Sequence, residues 1–91
     1  MTQDEYFMLL GKHRHVMIEL AKASRESMRA YDDVQSWANG LLINKLDEQY
    51  AARGHALIDR LLGSKQLEAY WKAEEMRLLE ALDGQVNPPV A

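Results

Sequence analysis

The stretch Gly11-Lys12-His13-Arg14-His15 contains the chain's densest set of side chains that could do chemistry. A phosphate-binding loop needs several glycines, a Ser or Thr after the lysine and a preceding strand, and the stretch has none of these. His13 and His15 are two residues apart, so on a helix they point to different sides and cannot share a metal ion. His15 and Glu19 supply only half of a metal site, which needs three or four ligands. We therefore predict no phosphate, metal or cofactor site here.

His13 differs from His15 because it falls on the apolar stripe of its helix, and Glu74 holds the same kind of position further along the chain. A buried carboxylate is costly unless it is paired, so we expect Glu74 to contact His13, Arg53 or Arg60. A His13–Glu74 pair would be either an acid/base pair in a cleft between helices or a polar pair that fixes helix register. No nucleophile or oxyanion-binding group accompanies it, so the structural interpretation is favoured and no catalytic residue is predicted.

Composition and charge exclude several classes of protein. The chain has 91 residues, of which 47% are hydrophobic and 27% charged, a balance typical of one globular domain. The net charge of −3, without a basic block, argues against a nucleic-acid partner. The absence of cysteine rules out disulfides and thiolate metal sites.

The N-terminal segment and the overall hydropathy predict the location. The first ten residues, MTQDEYFMLL, carry acids where a signal peptide carries Lys or Arg. No stretch of the sequence approaches the ~20 apolar residues of a membrane span. We expect a cytoplasmic protein without a membrane partner.

The apolar residues recur at helical spacing, which predicts an all-α fold with three helices. Thr2 and Glu5 form a capping box that begins the first helix. Asn39-Gly40, Gly63-Ser64 and Asp83-Gly84 are the predicted stops. The predicted helices span residues 3–38, 41–62 and 65–82 of a single domain, 1–84, and residues 85–91 are expected to form an extended or disordered tail.

The first predicted helix is roughly 54 Å long, against roughly 33 Å and 27 Å for the others. If the second helix turns back at Asn39-Gly40, it reaches only to about Val16, and the N-terminal third of the first helix stays uncovered. An uncovered apolar stripe of that size predicts an interaction surface, with a second copy as the simplest partner. The predicted interface consists of Tyr6, Leu9, Leu10, His13, Val16 and Met17. The alternative is a break near Ser24, which would give a four-helix monomer.

Five further large apolar residues lie off the main stripes. They are Phe7, Met8, Ile18, Met76 and Leu79. Methionines adapt their shape to different partners, so this set is interpreted either as a second docking surface or as part of a dimer core.

A long helix followed by two shorter ones is similar to the layout of the all-helical chorismate mutases, which are intertwined dimers whose active sites use arginines and a lysine from several helices. The likeness covers the layout alone, because Arg14, Arg25 and Arg29 lie off the stripe of the first helix. It implies one rival function, a small dimeric enzyme with the His13–Glu74 pair in a cleft. The favoured function is a non-enzymatic helical regulator, inhibitor or adaptor that binds itself and another protein, without a small-molecule substrate.

Overall fold

The computed structural model describes residues 2–86, with side chains up to Asp83, and consists of two antiparallel α-helices. Helix α1 spans Gln3–Gly40 and helix α2 spans Glu48–Val86. Together they form a hairpin with dimensions of 71 × 16 × 14 Å. The predicted all-α class is confirmed, whereas the prediction of three helices is wrong.

Helix α1 begins as predicted and is continuous. The Thr2 side chain accepts a hydrogen bond from the backbone N–H of Glu5 at 3.1 Å, which caps the first turn. The alternative break at Ser24 is absent, because Ser24 lies inside the helix and its hydroxyl donates to Glu68 of α2 at 2.6 Å. The helix ends at Gly40, within the predicted stop.

The loop of residues 41–47 ends at a cap that was not predicted. Asp47 accepts a hydrogen bond from the backbone N–H of Tyr50 at 2.7 Å, so α2 begins seven residues later than the expected second helix. Trp37 and Tyr50 clamp the two helices together at the loop. The Trp37 indole donates to the Tyr50 carbonyl at 2.8 Å, the Tyr50 hydroxyl donates to the Trp37 carbonyl at 2.6 Å, and the rings stack 5.4 Å apart.

The predicted break at Gly63-Ser64 is absent, and the second and third predicted helices are one helix. The Ser64 hydroxyl donates to the Arg60 carbonyl at 2.9 Å within the helix instead of capping a new one. No glycine between residues 2 and 86 has the positive φ of a helix C-cap. Packing against α1 continues through this point and offsets the ~1 kcal/mol that glycine costs in a helix. Helix α2 also passes Asp83-Gly84, and residues 87–91 of the predicted tail lie outside the described residues.

The residues between the helices alternate at spacings of three and four, as in an antiparallel coiled coil. We call this set the seam, and all of its members are buried or partly buried. In α1 the seam comprises Tyr6, Leu9, His13, Val16, Leu20, Ala23, Ser27, Ala30, Val34 and Trp37. In α2 it comprises Tyr50, Gly54, Leu57, Leu61, Ser64, Glu68, Trp71, Glu75, Leu78 and Leu82.

The seam is thin at its centre. Ala23, Ser27 and Ala30 are at most 4% exposed, but they are small and bury little area. Larger buried side chains stand near the open end, where α1 begins and α2 ends, and include Val16, Leu78 and Leu82. Within residues 2–86, neither helix contains an apolar segment long enough to cross a bilayer.

Candidate functional site

The hairpin has two broad sides, one on each side of the seam, and large apolar residues concentrate on one of them. A residue that directly follows a seam residue is rotated by about 100° around its helix. Because the two helices are antiparallel, this rotation points toward the same broad side of the hairpin in both. We call this the apolar side. It contains Phe7, Leu10, Met17, Met28, Tyr31, Ile58, Leu62, Met76 and Leu79. The groove that Met28, Tyr31 and Lys65 line together confirms that both helices contribute to it.

The apolar side is exposed to an unusual extent. Its nine large residues are between 39% and 68% exposed, with Met28 the most exposed. With about 200 Å² for each large side chain, the exposed fractions amount to about 900 Å². The nine residues are spread along both helices with smaller and polar residues between them, whereas the largest contiguous apolar patch of a typical monomer is ~300–600 Å² and is often functional. This side is therefore the best candidate for an interaction surface.

Three cations lie among the apolar residues. Arg14, Lys65 and Lys72 each follow a seam residue directly, as does Asp83 at the open end. Lys65 is bonded to Glu68 at 3.1 Å. The apolar side thus carries three cations and one acid, although the chain as a whole has a net charge of −3.

The opposite side, which we call the charged side, carries residues that directly precede a seam residue. Arg60 bridges the helices by binding Glu26 at 2.9 Å and Asp33 at 2.6 Å. These two carboxylates raise the pKa of the Arg60 guanidinium. Exposed ion pairs contribute little to stability, but they keep this side hydrated. The two broad sides consequently differ in chemistry.

The predicted His13–Glu74 pair is not formed. Glu74 accepts a hydrogen bond from Arg77 at 2.7 Å, and this bond lowers the pKa of the Glu74 carboxyl. His13 lies on the seam, where its Nε2 atom is buried without a hydrogen-bond partner. Since α2 continues through Gly63, the seam runs on along the helix to Glu75. Glu74, one residue earlier, therefore faces the charged side.

Near the middle of the hairpin, a polar contact between the helices is instead made by Ser24 and Glu68. The Ser24 hydroxyl donates to one carboxylate oxygen of Glu68 at 2.6 Å, and Lys65 donates to the other at 3.1 Å. The Ser24 bond, followed by the Lys65 bond, lowers the pKa of Glu68. Sequence reasoning missed Glu68, although its spacing of seven from Leu61 and from Glu75 places it on the seam.

The residues predicted as a dimer interface divide between two locations. Tyr6, Leu9, His13 and Val16 lie on the seam, where the unbroken α2 covers them, and Val16 is 4% exposed. The premise that the N-terminal third of α1 is uncovered was therefore wrong. Leu10 and Met17 lie on the apolar side and remain exposed.

The predicted second docking surface also divides. Phe7, Met76 and Leu79 join Leu10 and Met17 on the apolar side, whereas Met8 lies on the charged side. Ile18 lies on the outer edge of α1. Four further apolar-side residues were not assigned to any interaction surface from sequence. They are Met28, Tyr31, Ile58 and Leu62.

One groove on the charged side has the residue types of a small-molecule site. It has a volume of about 360 Å³ and is lined partly by Lys12, His15, Trp71, Glu74 and Arg77. It contains no Ser, Thr or Cys nucleophile in its lining, and Glu74 is already bonded to Arg77. Among residues 2–86, no group of three or more His, Asp or Glu side chains is arranged to hold a metal ion.

Comparison of the chain with protein-family models, with curated proteins and with solved structures finds no match. The three-helix layout that is similar to the chorismate mutases is also absent, since α2 is unbroken.

Proposed function

We propose that this chain is a non-enzymatic helical interaction protein, a regulator, inhibitor or adaptor, that self-associates through its apolar side. The observation that carries the proposal is the concentration of nine exposed large apolar residues on one side of the hairpin. The rival function, an enzyme using His13 and Glu74, ranks second because Glu74 is bonded to Arg77 rather than to His13.

The small amount of apolar surface inside the hairpin supports self-association. A domain is normally built from layers that bury each other's apolar faces, and small chains rarely obtain enough stability from one seam. Two hairpins that stack their apolar sides form a four-helix bundle with a second, central core. The about 900 Å² of exposed apolar surface per chain is close to the ~800 Å² that each partner buries in a standard interface.

Self-association is tested by placing a carboxylate on each side in turn. Met28 and Met8 are the same residue type with similar exposure, 68% and 60%, but they lie on opposite sides of the hairpin. At tens of micromolar we expect the wild type and Met8→Glu to sediment at twice the chain mass of 10.5 kDa. Met28→Glu should sediment as a monomer, because its carboxylate would be buried in the bundle.

Circular dichroism of each variant checks that the helices persist. A wild type that remains monomeric at these concentrations would contradict the proposal. Equal dissociation of both variants would also count against it, since the apolar side would then have no special role.

A further inference from the structure

The apolar side also determines the direction in which a second copy can lie. We propose that two hairpins stack in the same direction, with α1 of each chain over α2 of its partner, so that both loops come together at one end. This inference rests on the proposed self-association and specifies its geometry.

Contacts across the seam establish which residues lie level with each other. Ser24 is bonded to Glu68, and Trp37 is bonded to Tyr50. By the same register, Leu10 lies level with Leu79, Met28 with Leu62, and Tyr31 with Ile58. Of the three cations, Arg14 lies level with Met76, Lys65 with Ser24 and Lys72 with Met17. None of these three level residues carries a charge.

Same-direction stacking preserves these levels across the interface. A two-fold axis parallel to the helices places α1 of one chain against α2 of the other at equal height. Leu10 then faces the partner's Leu79, and Tyr31 faces the partner's Ile58. Lys72 faces the partner's Met17, over which its aliphatic stem packs while its ammonium group reaches solvent. The three level apolar pairs, Leu10–Leu79, Met28–Leu62 and Tyr31–Ile58, are matched across the interface, and no cation directly faces a cation.

Opposite-direction stacking brings like charges together. It places α2 of one chain against α2 of the other with the heights reversed about the middle of the hairpin. Lys65 and Lys72 lie on either side of that middle, so each faces the other lysine of the partner. The two-fold symmetry produces this lysine–lysine contact twice. Repulsion between like charges across the interface therefore disfavours opposite-direction stacking.

The same-direction bundle brings the exposed apolar residues of both loops to one end of the dimer. Leu42 and Ile43 are the most exposed large apolar residues described, at 87% and 88%. The Trp37–Tyr50 clamp fixes the helices directly below them. Two loops at one end would place four such side chains beside each other.

The direction is tested by distance measurement between spin labels, which the absence of native cysteine makes simple. A label at Lys45→Cys, in the loop, should give a distance of roughly 20–35 Å in the same-direction bundle, from helix spacings of ~10 Å plus the label arms. Opposite stacking would separate the loops by roughly 65 Å, the reach of two half-hairpins at 1.5 Å per residue. A label at Arg25→Cys, near the middle, gives a short distance in either direction and controls for dimerisation.

Short distances at both positions support the inference. A short distance at residue 25 with a long distance at residue 45 overturns it and leaves self-association intact. No dipolar coupling at either position, together with a monomer in sedimentation, overturns both proposals.

A charge reversal at Lys72 tests the direction of stacking independently of the distance measurements. In the same-direction bundle, Lys72→Glu buries a short carboxylate against the partner's Met17, and we expect the dissociation constant to rise at least tenfold. In the opposite arrangement the new carboxylate would face the partner's Lys65 and tighten the dimer. Tighter association of Lys72→Glu would therefore overturn the inference.

Discussion

At the scale of single residues, the Glu68 carboxylate has a defined hydrogen-bonding environment between the two helices. Hydrogen bonds offset the cost of placing a carboxylate between two helices, and Ser24 and Lys65 both donate to Glu68. These bonds hold the pKa of Glu68 below its ordinary value of 4.5. Because the folded pKa is depressed, the ionised carboxylate contributes stability above about pH 4.5, and this contribution is lost as the pH falls through the folded pKa.

Replacing the first donor tests this environment. In Ser24→Ala the largest cause of the depressed pKa is removed, so we expect the pKa of Glu68 to rise and acid unfolding to begin at higher pH. Carboxyl chemical shifts measured by NMR during titration report the pKa directly. Ser36→Ala is the control, because Ser36 is exposed on the charged side. An unchanged Glu68 pKa in Ser24→Ala would contradict the assigned hydrogen bond.

At the scale of elements, two glycines of α2 have opposite roles. A Cβ at Gly54 would overlap the Trp37 indole, so glycine is required there for the close approach of the helices at the clamp. A Cβ at Gly63 meets nothing within 4 Å, and the backbone there is ordinary helix. Of these two glycines, Gly54 is the one at which the packing of α2 against α1 depends on the missing side chain.

The two alanine substitutions should therefore differ in sign. Gly63→Ala removes the conformational entropy that glycine loses on folding and should stabilise the protein by about 0.5–1 kcal/mol. For a domain of this size that corresponds to a rise in Tm of about 2–8 °C. Gly54→Ala should lower Tm because it displaces Trp37 from Tyr50. Thermal unfolding followed by circular dichroism measures both, and a destabilising Gly63→Ala would indicate that residues around Gly63 do not form uninterrupted helix.

At the scale of the whole molecule, the stability of the hairpin should depend on protein concentration. Its own seam buries mainly small residues at the centre, and the proposed bundle adds a second core only when two chains meet. We expect the wild-type Tm to rise by several degrees between about 5 and 500 μM, as mass action requires for a folded dimer. Met28→Glu should lose this dependence, and Met8→Glu should retain it. A wild-type Tm that is independent of concentration would contradict coupling between folding and association.

The sequence by itself determined the features that depend on local chemistry. Helical periodicity established the all-α class, the Thr2 hydroxyl and Glu5 amide established the beginning of α1, and Asn39-Gly40 marked its end. Each of these follows from groups within a few residues of each other, which propensity and capping describe well. Phe7, Met76 and Leu79 lie off the predicted stripes and were expected either on a docking surface or in a dimer core, and all three are exposed in the hairpin.

Only the tertiary structure decided whether Gly63-Ser64 ends a helix. The local cost of glycine is ~1 kcal/mol, and the long-range packing of Leu61, Ser64 and Glu68 against α1 offsets it. Tertiary packing also decided which residues lie on the seam and which lie on each broad side of the hairpin. An apolar stripe followed at 3.6 residues per turn drifts by ∼20° per heptad from the 3.5-residue seam. Near the end of α1 the seam residues are Ala30 and Trp37, whereas a straight stripe would bury Tyr31 and Ala38, because the supercoiling of two packed helices is absent from either helix alone.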